Sequence, residues 1–89
     1  MGAAMVDFDG KHIVIPSWDG VSRQVAEVWR MRKDAHSVVC SLWTHPEGGE
    51  LRLTVDAKLQ QAEATHHLFL LPTLALAWQE RWHWIKGWR

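Results

Sequence analysis

From Trp29 to Val55 apolar residues recur at every second position, broken only by turn-length gaps. Trp29 and Met31 alternate with Arg30 and Arg32. Val38, Cys40 and Leu42 alternate with Val39, Ser41 and Trp43, and Leu51, Leu53 and Val55 alternate with Arg52 and Thr54. A period of two marks strands with one buried face. The gaps then fix the pairing. If Lys33 opposes His36, the apolar pairs are Met31–Val38 and Trp29–Cys40. If Trp43 opposes Glu50 across the 44–49 loop, the pairs are Leu42–Leu51, Cys40–Leu53 and Val38–Val55. One register sends every apolar residue to one face, and a one-residue slip would reverse that. The pattern predicts an antiparallel meander. Asp56-Ala57 turns the chain into a fourth strand, Lys58 to Ala64. Leu59 is out of phase with a tight turn there, so this strand is expected at the edge, with a bulge.

The flanks complete the architecture. Asp9-Gly10 lies between strand-forming residues, a strong signal for a two-residue hairpin turn. Pro16 ends the second strand of that hairpin. Val21, Val25 and Val28 carry a helix-like spacing and predict a short helical turn or an irregular link. After Thr65-His66-His67 a helix is expected. Pro72 is tolerated in its first turn and Gly87 suits its end. Leu71, Leu74, Ala75, Trp78, Trp82 and Ile85 form the stripe that would cover the sheet. The expected fold is α+β in a single domain over residues 1–89. It comprises an N-terminal hairpin (5–15), a meander of three to four strands (25–64) and a C-terminal helix (69–86). The hairpin is expected either to extend the sheet or to pack on the helix.

Tryptophan usage is the main functional clue. Of the seven tryptophans, four fall at Trp78, Trp82, Trp84 and Trp88. Trp84 lies about 200° around a helix from Trp82, and Trp88 returns to its side at the i+4 spacing. If Trp78 and Trp82 face the sheet, Trp84 and Trp88 are expected on the opposite side. Tryptophan and arginine are enriched at binding hot spots. The tail therefore points to an interface built from Arg81, Trp84, Trp88 and Arg89. A homodimer or a partner protein would cover it, as in a small adaptor or an inhibitor of a larger partner. The competing reading folds these indoles back onto Phe8, Ile13 and Ile15. The tail also resembles a membrane-surface helix in composition, but few charges are available to it.

A second surface is expected on the outer face of the meander, where Arg30, Arg32, Arg52 and Trp43 gather. Such a face could stack single-stranded bases and neutralise phosphates. Ten basic and ten acidic residues cancel, however, so no global field attracts polyanions.

Chemistry is poorly supported, and a non-enzymatic protein is expected. Cys40 should point into the core, where a thiol is inert. Asp7 and Asp9 suit the hairpin turn for conformational reasons. His66 and His67 are adjacent, which on a strand sends them to opposite faces. They are expected to satisfy backbone groups at the strand-to-helix junction. No zinc-type spacing is present, and neither a metal nor a cofactor is expected. One cysteine leaves no internal disulfide. The residues from Met1 to Asp7 lack a basic, then apolar, leader pattern, and no run is long enough to span a bilayer. These features predict a cytoplasmic protein.

Overall fold

A computed structural model describes residues 3–89. Met1 and Gly2, the start of the stretch read above for a leader, lie outside the described residues. The chain forms β1 (Ala4–Phe8), β2 (Lys11–Ile15), β3 (Gln24–Lys33), β4 (His36–His45), β5 (Gly48–Val55) and β6 (Lys58–Thr65). The helix α1 (Leu70–Glu80) follows and continues into a π turn (Arg81–Ile85). The fold is α+β, with a separate two-stranded hairpin and a four-stranded antiparallel sheet in the order β3-β4-β5-β6. Among the described residues no helix is long and apolar enough to cross a membrane.

The register follows from the apolar alternation. Lys33 opposes His36, Met31 opposes Val38 and Trp29 opposes Cys40. Trp43 opposes Glu50, with Leu42–Leu51, Cys40–Leu53 and Val38–Val55 following in step. Val38, Cys40, Leu42, Leu51 and Leu53 are essentially inaccessible. β6 is the edge strand, and its register with β5 shifts between Leu53 and Thr54, so that Thr54 opposes Leu59. The bulge leaves Leu59 exposed.

The start of β3 differs from expectation. No helical turn forms at Val21 to Val28. The strand begins at Gln24 and slips register twice, between Gln24 and Ala26 and between Glu27 and Trp29. Each slip inserts one unpaired residue, Val25 and then Val28. Both valines pack against the core. A strand period of two plus one inserted residue makes the spacing of three that reads as helix. The segment before it is pinned by Thr44, which is buried. The Thr44 hydroxyl accepts the Arg23 amide at 2.9 Å, and the Thr44 amide donates to the Arg23 carbonyl at 2.9 Å.

β1 and β2 pair only with each other, joined by Asp9 (φ 52°) and Gly10 (φ 90°). Both residues at positive φ make the type I′ turn that matches the twist of hairpins. The Gly10 amide donates to the Asp7 carboxylate at 2.7 Å. The hairpin does not extend the sheet. It buries Val6, Phe8 and Ile15 in the common core. Helix and hairpin meet over Gly49, whose missing side chain makes room. A Cβ there would lie 2.8 Å from Leu71 Cδ1 and 3.4 Å from Ile15 Cδ1.

α1 lies on the sheet through Leu71, Ala75 and Trp78, all buried. Pro72 falls in its first turn, where no amide donor is missed. The His67 carbonyl accepts the Leu70 amide at 2.9 Å, and the Thr65 hydroxyl accepts the His67 amide at 2.9 Å. Among the described residues these two junction bonds use the Thr65 hydroxyl and the His67 carbonyl rather than the histidine rings expected there. The two rings lie against each other, centroids 4.0 Å apart and planes tilted by 41°, where the chain bends at His66. Leu74, Val55 and Trp82, expected in the core, are partly buried and pack against it. The indole N–H of Trp29 donates to the Ala75 carbonyl at 2.9 Å, a buried bond from β3 to α1.

Two stability outcomes are expected. Trp29→Phe keeps most of the ring but loses this bond and some volume. It should lower the unfolding free energy by about 1–3 kcal/mol, measured by urea denaturation. Ala57 closes the β5–β6 turn at φ 67°, a left-handed conformation costly for alanine. Ala57→Gly should raise stability by ~0.5–1 kcal/mol, seen as a higher urea midpoint at unchanged slope.

Candidate protein-docking surface

The end of the helix decides which aromatics are available. An α-helix turns about 100° per residue, and at that rate Ile85 would follow Trp78 and Trp82 toward the sheet. Arg81–Ile85 instead forms a π turn, with one more residue per turn and less rotation for each. Ile85 is therefore carried out of the buried stripe and is 77% exposed. Trp84 is 78% exposed, on the outer side as expected.

Trp88 does not join it. Gly87 adopts φ 75° and reverses the chain. The Trp88 amide then donates to the Trp82 carbonyl at 3.0 Å. This closure is one residue wider than the usual capping bond, in keeping with the π turn. Trp88 is only 9% exposed, and its ring meets Trp82 edge-on at 5.3 Å. The expected Trp84–Trp88 face is thus corrected: the helix stops before the i+4 relation can apply. The fold-back partner is Trp82, not Phe8, Ile13 or Ile15 alone, although all share one core.

Arg81 and Arg89 are both exposed but line different depressions, Arg81 one beside Leu53 and Gln60 and Arg89 one beside Arg30 and Trp84. Arg89 exchanges backbone hydrogen bonds with Arg32, at 2.7 and 3.1 Å, so the tail seals part of the free edge of β3. Lys33 Nζ donates to the Lys86 carbonyl at 2.8 Å, and Lys86 Nζ lies 4.4 Å from the Trp82 ring centre. The Trp88 carbonyl accepts from His83 Nδ1 at 2.8 Å, which requires the hydrogen on Nδ1.

Trp84 and Ile85 continue an apolar strip along the outer face of α1. Phe69 (72% exposed), Leu70 and Leu76 are its other large members, with Thr73 and Ala77 between them. Glu80 is the one charge inside the strip. A helix with apolar residues on both faces is buried on one side and unpartnered on the other.

The outer face of the sheet is a shallow depression of about 620 Å³. Arg30, Trp43 and Arg52 line it; Arg32 does not. The Arg52 guanidinium lies 4.0 Å from the Trp43 ring centre and occupies the face a base would need. Arg52 also pairs with Glu50 at 2.6 Å, and Arg30 with Glu27 at 2.8 Å. The hydrogen bond from Arg30 holds the Glu27 carboxyl below its usual range. At one end Asp56 accepts the Ser37 amide at 3.0 Å and contacts His36; the amide, then the histidine, hold its carboxyl low. The two arginines of this surface are thus already engaged by carboxylates.

Among the described residues no group of three or more metal-ligating side chains gathers. Burial pushes the Cys40 thiol up to about 12. No family model, curated protein or solved structure matches the chain.

The geometry of Cys40 gives a direct test. At neutral pH the thiolate fraction is negligible and the sulfur is shielded. A thiol reagent should label native protein far more slowly than urea-unfolded protein, and Cys40→Ala should leave association unchanged. Labelling at equal rates would overturn the buried assignment.

Proposed function

We propose that this chain is a non-enzymatic protein-interaction module that docks through the outer face of its C-terminal helix. The observation that carries the reading is the strip of Phe69, Leu70, Leu76, Trp84 and Ile85 left in solvent. With aromatic side chains of roughly 150–250 Å² each, the strip offers about 600 Å². Two copies would bury ~1,200 Å², the lower bound for a specific interface. A second copy is the occupant this surface suits, since a twofold contact uses one patch twice. In an antiparallel pair centred between Leu76 and Ala77, Phe69 meets Trp84 of the second copy. Glu80 meets the hydroxyl of Thr73 rather than another carboxylate. A role as an adaptor, or as an inhibitor masking a larger partner, belongs to the same reading. So does a cytoplasmic setting, supported by the single buried cysteine.

The single-stranded nucleic-acid alternative draws on Arg30, Arg32, Trp43 and Arg52. It has less support, because Arg52 covers Trp43 and the paired carboxylates offset Arg30 and Arg52.

Sedimentation equilibrium tests the proposal. Wild type should approach twice the 10.3 kDa chain mass. A Trp84→Ala, Ile85→Ala variant should sediment as monomer and still unfold in one cooperative transition, since neither side chain is in the core, with a melting temperature that no longer rises with protein concentration. A wild type that stays monomeric at its solubility limit would overturn self-association. A salt-dependent shift with oligonucleotide, absent in Arg52→Ala, would favour the alternative.

A further inference from the structure

We propose that the free edge of β3 at Arg30 takes up an extended, acidic segment of a partner protein as an added strand. β3 is one edge of the sheet. Arg32 turns both its N–H and its C=O outward to Arg89. Backbone groups alternate sides along a strand, so those of Arg30, two residues away, point to the same free side. Between Glu27 and Trp29 the bulge ends the regular edge, and beyond Arg32 the tail covers it. Arg30 is left as one open donor–acceptor pair between two closed stretches.

The opening is a groove of about 680 Å³. Arg30 and Met31 form its strand side, and Gln79, His83 and the exposed ring of Trp84 form its helix side. This is the geometry of strand addition, in which main-chain bonds supply affinity and flanking pockets read side chains. The rim sets the charge preference. Arg89 lines the groove, and Arg32 is hydrogen-bonded to it through the backbone. Among the described residues neither guanidinium has an ion-pair partner, whereas Arg30 is paired with Glu27 and Glu80 is the one carboxylate side chain lining the groove. A segment with carboxylates on alternate residues would meet both guanidiniums. The proposal rests on the docking reading through Trp84 alone, and it requires no dimer.

Hydrogen exchange followed by NMR tests it. The probes are a blocked pentapeptide alternating glutamate and valine, and its lysine counterpart. The acidic peptide should slow exchange of the Arg30 amide roughly tenfold at saturation, and the lysine peptide should not. Arg30→Pro removes the edge donor together with the side chain and its pair with Glu27, at an edge position where proline is tolerated, and should abolish acidic-peptide binding. Arg30→Ala keeps the donor and should retain it. If Arg30→Pro does not fold, the wild-type exchange result decides. Unchanged Arg30 exchange, with shifts confined to Thr73 and Leu76, would overturn strand addition while leaving helix-face docking intact. Equal protection by both peptides would overturn the charge preference, and no effect of either would overturn the proposal.

Discussion

The fold depends on how closely α1 can approach the sheet. Trp29 reaches from β3 to the Ala75 carbonyl, and Gly49 leaves the hollow that Leu71 enters. Burial of apolar surface drives this approach but is not directional. The indole bond and the glycine hollow fix where along the sheet the helix sits. That placement leaves the helix end level with the turns at the far end of the meander. The chain can then reverse at Gly87, seat Trp88 on Trp82 and reach the β3 edge.

The sheet was legible in the sequence because its constraint is global. A register that buries Trp29, Met31, Val38, Cys40, Leu42, Leu51 and Leu53 together admits no slip, and the two hairpins closed by the 34–35 turn and the 44–49 loop agree with it. The start of β3 was illegible for a local reason: two inserted valines imitate a helical stripe. The irregularity at Leu59 was legible because it breaks an established phase.

The candidate surface was half legible. Trp84 is outward in both α and π geometry, so its exposure follows from Trp78 and Trp82 facing inward. Trp88 and Ile85 exchange roles because the final turn widens and then reverses. A trace of this is present in the sequence. Glycine followed at once by a large apolar residue is the pattern of a helix end that folds back on its last turn. The outer sheet face was legible in membership but not in chemistry. Carboxylates two and three residues away on the same strand, Glu50 on β5 and Glu27 on β3, engage its arginines, and their geometry had to be seen.

Consecutive hairpins have a consequence for how the molecule assembles. Every strand pair joins neighbours in the chain through a short turn, so the entropy lost in closing each loop is small. The bond from Trp29 to Ala75, by contrast, spans 46 positions. Such topology separates a fast stage of local zippering from a slower search by the helix for its seat. Until that search ends, the inner face of the meander stands open to water, with its most apolar strands uncovered. The interval before the helix lands is when this small chain is most vulnerable to mispairing with another copy of itself.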